Sequence, residues 1–230
     1  MSLQFKRVLI IASHPDDEVL GCGGTIAKFV EEEAQVLVAF LADGVTSRKA
    51  DPEVLKNELI QRRSAATKAC RILGVENIIF GDFPDNEMDR ETLLTITRKV
   101  EEIINDFLPD TIFTHHVGDV NIDHQLTHKA VVTACRPQIG KSVKHVFSFE
   151  TPSSTEWQFP NSAPPFIPNC YIDITKALSK KLEALDAYAF EMRAWPHSRS
   201  IKGVEHLVRW HGASIGTEAA EAFMICRSIL

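Results

Sequence analysis

Arg7-Val8-Leu9-Ile10-Ile11-Ala12-Ser13-His14-Pro15-Asp16-Asp17-Glu18 is the stretch on which the fold turns. Val8 through Ala12 are apolar without interruption. An alternating pattern would describe a strand wet on one face, whereas a continuous one describes a strand covered on both, as in a parallel sheet. The run then gives way to an imidazole, a proline and three carboxylates. Pro15 stiffens the turn, and Asp16 and Asp17, being adjacent, must point in different directions.

Outward from this strand the periodicity alternates. Residues 21–33 read as a helix and 36–41 as a second buried strand. Residues 52–73 carry Leu55, Leu59, Ala66, Cys70 and Leu73 on one side and are stopped by Gly74. A short strand is expected at 77–80, a helix at 90–107 ahead of Pro109, a strand at 111–114, a helix at 126–135 ahead of Pro137, and a strand at 143–149. This order predicts an α/β, Rossmann-like fold: a mostly parallel sheet flanked by helices on both faces. Residues 151–168 hold Pro152, Pro160, Pro164, Pro165 and Pro168 and predict a long irregular segment, a kind of loop that is often functional. A strand at 169–174, a helix at 175–192 capped by Thr175 and a helix at 203–210 complete the reading. No repeat or linker interrupts it, so residues 1–230 are expected to form a single domain.

Composition narrows the function classes. The chain has 230 residues, 44% hydrophobic and 24% charged, with a net charge of -6. That describes a globular protein rather than a disordered one. Its basic doublets, Arg62-Arg63 and Lys180-Lys181, do not make the patch a nucleic-acid partner needs. The apolar runs fall short of the ~20 residues of a membrane span, and the first six residues are too short and polar for a signal peptide. Five cysteines with no CxxC argue against a thiolate zinc site and a disulfide framework. The expected setting is cytoplasmic.

Ligands of open parallel sheets bind beyond the carboxyl ends of the strands, and there this sequence concentrates its polar residues. Strand one leads into His14-Pro15-Asp16-Asp17-Glu18. Strand two leads into Asp43-Gly44-Val45-Thr46-Ser47-Arg48, strand three into Asp82-Phe83-Pro84-Asp85-Asn86-Glu87, and strand four into the segment from His115 to His124. A catalytic zinc site takes three N or O ligands and keeps an open position. His14 and Asp17 supply two, and the fourth loop is the natural source of a third. The plainer alternative is that Asp16 and Asp17 only favour a helix N-terminus.

The stretch SHPDDEVLGCGGTIAKF, residues 13–29, resembles the signature of the LmbE/PIG-L-type zinc-dependent de-N-acetylases. Asn121-Ile122-Asp123-His124 resembles the family's second motif. Ile172-Asp173-Ile174, Lys181-Leu182-Glu183-Ala184-Leu185 and Ala220-Glu221-Ala222-Phe223 extend the likeness along nearly the whole chain. The resemblance implies one zinc ion per chain held by His14, Asp17 and His124, although other divalent ions suit these ligands. It implies Asp16 as general base toward the water that the metal activates, and an N-acetylated sugar or sugar conjugate as substrate.

Several relatives have His where this chain has Asn121. An asparagine amide can donate to an oxyanion but cannot carry a proton as imidazolium does. Asp123 is read as orienting a neighbour, and His115 or His116 as substitutes for the missing imidazole. Arg62 matches an arginine that reaches substrate in relatives; its alternative is a solvated helix residue. Asp43 and Arg48 are candidates for substrate hydroxyls, or a surface pair, and Trp157 for stacking on a sugar ring or, equally, for apolar cover of the site. His128, four residues after His124, is read as local structure. Gly21-x-Gly23-Gly24 stands too far past the strand for a dinucleotide turn, so a nucleotide-binding module is the weaker alternative. An amidase acting on another N-acyl, thiol or antibiotic conjugate is the nearer one. Trp195-Pro196-His197 and the proline-rich loop are placed to cover a neighbouring copy in a homo-oligomer.

Overall fold

The strand Arg7–Ala12 (β1) is paired on both sides, which is why its apolar run is unbroken. The computed structural model describes residues 5–47 and 50–230. Six further strands are Gln35–Ala42 (β2), Asn77–Phe83 (β3), Thr111–His115 (β4), His145–Phe149 (β5), Cys170–Asp173 (β6) and Ala220–Ser228 (β7). They form one sheet in the order β3-β2-β1-β4-β5-β7-β6. The first five strands pair in parallel, and β7 runs antiparallel to both β5 and β6. The chain proceeds from β1 outward through β2 to β3, then returns to place β4 on the other side. The carboxyl ends of β1 and β4 therefore flank the switch point, where ligands of such sheets bind.

Helices cover both faces. Asp17–Glu31 (α1), Pro52–Ile72 (α2), Leu178–Asp186 (α5) and Ile201–Ile215 (α6) enclose one core with Val8, Ile10 and Phe113. Leu93–Phe107 (α3) and Ile122–Ala134 (α4) enclose the other with Leu9, Ile11 and Ile112. In α3 the spacing of Ile96, Val100, Ile103 and Ile104 makes one buried stripe. Burying such a side chain contributes ~1.5–3 kcal/mol. Thr92 starts the helix by accepting from the Thr95 amide at 3.1 Å. Among the described residues no helix is long and apolar enough to cross a membrane.

Several boundaries differ from the sequence reading, each for a local reason. α1 begins at Asp17 rather than at residue 21, and it is broken inside, at Cys22 (φ -148, ψ 23). α4 begins at Ile122 because Asn121 caps it, its Oδ1 accepting from the Asp123 amide at 2.8 Å. His124 thereby moves into the first turn. The helix expected over 175–192 is reduced to Leu178–Asp186, and Thr175 does not cap it. The Thr175 amide donates instead to Asp173 Oδ1 at 2.9 Å, and Ala177 takes the cap position. β7 was not expected as a strand; its first four residues are all buried, which hides any period of two. Segment 151–168 is irregular apart from the short 3-10 turn Thr155–Trp157.

Candidate metal centre

Asp16 sits at φ 121, outside the region that side chains other than glycine favour. Strain of this kind costs of order 1–3 kcal/mol and persists only where its surroundings fix it. Here its carbonyl accepts from the Val19 and Leu20 amides at 3.1 and 2.9 Å, and its amide donates to Glu18 Oε2 at 2.9 Å. The result turns Asp16 and Asp17 apart, as their adjacency requires. Asp17 faces the end of β4, and Asp16 faces two arginines.

Around Asp17 three imidazoles gather. Its Oδ2 lies 3.3 Å from His14 Nδ1, 3.3 Å from His124 Nε2 and 3.4 Å from His115 Nε2. His14, Asp17 and His124 each offer one ligand atom within 4.8 Å of the others, and all three are buried. Each of the two imidazoles in this group has a carboxylate beside its other nitrogen. Asp123 Oδ2 accepts from His14 Nε2 at 2.8 Å, and Asp119 Oδ1 lies 3.1 Å from His124 Nδ1. Histidine ligands in metal sites are oriented in this way. Asp123 is itself fixed by the Asn86 and Met88 amides at 2.7 and 3.1 Å. Asp119 is fixed by the hydroxyls of Ser154 and Thr155.

The charges follow from this packing. Burial opposes a proton on His14, but Asp123, Asp17 and Asp85 outweigh it and push the imidazole up to about 10. Burial likewise opposes a proton on His124, and Asp17 and Asp119 overcome it, to about 9. Burial pulls Asp17 the other way, yet the surrounding imidazoles hold its carboxyl well below the usual range. The pocket thus places two protons where a cation would replace them. Two imidazoles and a carboxylate are a donor set that suits zinc. A second grouping, His14 with Asp85 and Asp123, uses the other edge of the same ring. Its carboxylates already accept from Ser47, Asn86 and Met88.

Asp16 is arranged differently. Its Oδ2 lies 3.1 Å from Arg199 Nη1 and 3.5 Å from Arg62 Nη2. Its Oδ1 is buried and has no hydrogen-bond partner among the described residues. Burial raises the carboxyl, and Arg199 and Arg62 pull against that rise. Behind it, burial pushes Glu18 up to about 8 despite the Tyr188 hydroxyl, which donates to Glu18 Oε1 at 2.7 Å.

The other candidates are placed as follows. Arg62 is buried rather than solvated; it donates to Pro15 O at 3.1 Å and pairs with Glu191 at 2.5 Å. Asn121 spends its Oδ1 on the α4 cap and donates from Nδ2 to Asn86 Oδ1 at 2.9 Å. Asp43 Oδ1 closes its own turn, accepting from the Val45 and Thr46 amides at 2.8 and 3.0 Å. Arg48 lies outside the described residues. Trp157 is half exposed and meets His197 edge-on, ring centroids 5.5 Å apart. His115 stacks flat on His124 at 3.8 Å, and its Nε2 accepts from the Ser13 amide at 2.9 Å. Burial holds it well below the usual imidazole range, so it stays neutral. His116 donates to Pro164 O at 2.9 Å, and His128 to His115 O at 2.8 Å. The sequence reading missed Asp119, Asp85 and Arg199. The first two lie in loops already rich in polar residues; Arg199 lies in an irregular segment with no pattern to mark it. The glycines of α1 are packing positions: a Cβ at Gly21 would stand 2.3 Å from the Phe149 ring.

Residues 9–135 match the family model described as PIG-L, GlcNAc-PI de-N-acetylase. The "Probable N-acetyl-alpha-D-glucosaminyl L-malate deacetylase 2" of Bacillus anthracis is 25% identical over 214 residues, 89% of this chain and 91% of that protein. The 4-oxalmesaconate hydratase of Pseudomonas putida is 26% identical over 217 residues, 86% of this chain and 78% of that one. Among solved structures, the N,N'-diacetylchitobiose deacetylase of Pyrococcus horikoshii superimposes with a TM-score of 0.78 at 21% identity, covering 97% of this chain and 84% of that chain. At that identity the likeness is one of fold.

Proposed function

This chain belongs to the PIG-L family of GlcNAc-PI de-N-acetylases, and on that premise we propose that it is a zinc-dependent hydrolase. Its substrate is an N-acetylated sugar or sugar conjugate, from which it releases acetate and leaves the free amine. The observation that carries the reading is the division of labour between two adjacent residues. Asp17 joins two imidazoles in a ligand set, while Asp16 Oδ1 stands buried beside it with no partner among the described residues.

His14, Asp17 and His124 would hold the ion. When bound, zinc acts as a Lewis acid that lowers the pKa of water toward ~7 and polarises an amide carbonyl. Asp16 takes the proton of the attacking water at Oδ1. It then delivers that proton to the amide nitrogen as the carbon–nitrogen bond breaks. Arg62 and Arg199 hold Oδ2 and oppose the rise that burial imposes on the carboxyl, which favours the proton-accepting form for the first transfer. Asn121 carries a second Nδ2 hydrogen that Asn86 does not take, and we assign it to the carbonyl oxygen. Asp123 orients His14. Trp157 and Asp43 are assigned to the sugar, and Arg48, which lies outside the described residues, is assigned with them from the sequence alone. The single domain of residues 1–230 works in the cytoplasm, a reading supported by its free cysteines. Half-exposed Trp195 supports a homo-oligomer.

The hydratase relative supports a second reading, in which the same ligand set adds water across a carbon–carbon double bond. One screen separates the two. Zinc-loaded protein is offered N-acetyl sugars, sugar conjugates and unsaturated tricarboxylates, with and without chelator. Acetate release that chelator abolishes supports the deacetylase. Loss of the unsaturated acid's absorbance without acetate release replaces it with the hydratase.

A further inference from the structure

Lys181 and Glu221 are fully or almost fully buried, and they meet at 2.5 Å. They come from α5 and β7, yet both reach into the break in α1. A regular helix would close the Gly24 amide on the Leu20 carbonyl, four residues back. Here Gly24 N donates to Glu221 Oε1 at 2.9 Å, and Lys181 Nζ donates to Leu20 O at 2.9 Å. The ion pair is spliced into that one rung. Its outer atoms serve the neighbouring rungs: Thr25 N donates to Glu221 Oε2 at 2.7 Å, and Lys181 Nζ to Val19 O at 2.8 Å. Inserted side chains are a recognised cause of helix kinks. Severed backbone groups in a dry core would otherwise each lack a partner.

The break lies one turn after Asp17. That turn is pressed against Phe149 at Gly21, and the helix beyond it against Ile174 at Gly24. Phe149 in turn packs on His115 with ring centroids 4.7 Å apart, and His115 stacks on His124. We propose that Lys181 and Glu221 are positioning residues for the metal centre. By replacing a rung of α1, they fix the angle at which its first turn presents Asp17 to the two imidazoles. The inference rests on the reading of His14, Asp17 and His124 as metal ligands.

Zinc affinity, measured by competition with a chromophoric chelator, tests it alongside the melting temperature of the metal-free protein. Lys181→Met and Glu221→Gln should each weaken zinc binding by about 10-fold or more, in the range seen for residues that orient metal ligands. Leu37→Ala, buried near the amino end of β2 and so away from the carboxyl edge of the sheet, should lower the melting temperature while leaving affinity within about twofold, because distant sites act additively. If the Lys181 and Glu221 variants bind zinc as Leu37→Ala does, the pair is ordinary structure and the inference is overturned. His124→Ala should all but abolish binding; if it does not, the ligand assignment itself has failed. Should Lys181→Met not fold, hydrogen exchange of the wild type decides. Zinc must slow the Gly24 and Thr25 amides, since coupling between sites is reciprocal, and no change there would overturn the proposal.

Discussion

His14 gives its Nε2 proton to Asp123 at 2.8 Å, and this contact decides which nitrogen of the ring faces Asp17. With Nε2 committed, Nδ1 is left toward the ligand cluster. Asp123 cannot swing away, because the amides of Asn86 and Met88 hold both its oxygens. Asp123→Asn should therefore weaken zinc binding by ~10–100-fold, as loss of such a partner does elsewhere. Activity at limiting zinc should fall with it and recover in excess zinc. If it stays low at saturating zinc, Asp123 acts on the substrate and not through His14.

Asp16 is predicted to matter for proton transfer and not for metal. Asp16→Asn should cut turnover by ~10²–10⁴, the worth of a general base, with zinc content unchanged. Arg199 touches the same carboxylate at Oδ2 and also donates to Ser153 Oγ at 2.8 Å. Arg199→Met leaves Arg62 in place, so a partial loss of about 10-fold is expected, in kcat rather than in metal content. Steady-state kinetics with metal analysis checks both. Asp16→Asn protein that has lost its zinc would put Asp16 among the ligands instead.

How far the site could be read in advance depended on where each group lies along the chain. His14, Asp16 and Asp17 leave one strand within four residues, so chemistry and spacing coincide. His124 lies far along the chain, but β4 pairs with β1 and brings its loop alongside, as strand alternation implied. Lys181 and Glu221 lie in stretches that resemble the family but carry no spacing that assigns them a role, and Arg199 has no mark at all. Each acts on α1 or its approach from more than 150 residues away, a distance that periodicity cannot bridge. The Cys22 break was invisible for the same reason, since the groups that satisfy it come from α5 and β7. β7 itself was hidden because its first four residues are all buried, which removes the period of two.

His128 makes a prediction about acid stability. Burial holds its imidazole below the ordinary 6.5, and it donates from Nδ1 to His115 O. Below that pH the unfolded chain takes up a proton that the folded protein resists, so stability falls as pH drops. His128→Gln removes this term. Its melting temperature should decline less than that of the wild type between about pH 7 and pH 5. The gap should be a few degrees at most, because ~1 kcal/mol moves the midpoint by ~2–4 °C in a domain of this size. Parallel slopes in a thermal series at equal zinc would show that His128 titrates alike in both states.

Gly21 makes the last prediction, and here local preference and packing disagree. Alanine is favoured over glycine inside a helix by ~1 kcal/mol, so Gly21→Ala should stabilise α1 on propensity alone. Its Cβ would lie 2.3 Å from Cδ2 of Phe149, a fully buried ring, so one of the two must shift. Overpacking of this kind costs ~1–3 kcal/mol, enough to cancel or reverse the gain, and the melting temperature should fall. Shrinking the wall with Phe149→Leu should make Gly21→Ala less damaging than it is alone, a coupling that a double-mutant cycle measures. The same ring supports His115 beneath His124, so Gly21→Ala should weaken zinc binding as well. A stabilised Gly21→Ala protein with wild-type zinc affinity would mean that the helix and β5 can separate there without disturbing the metal centre.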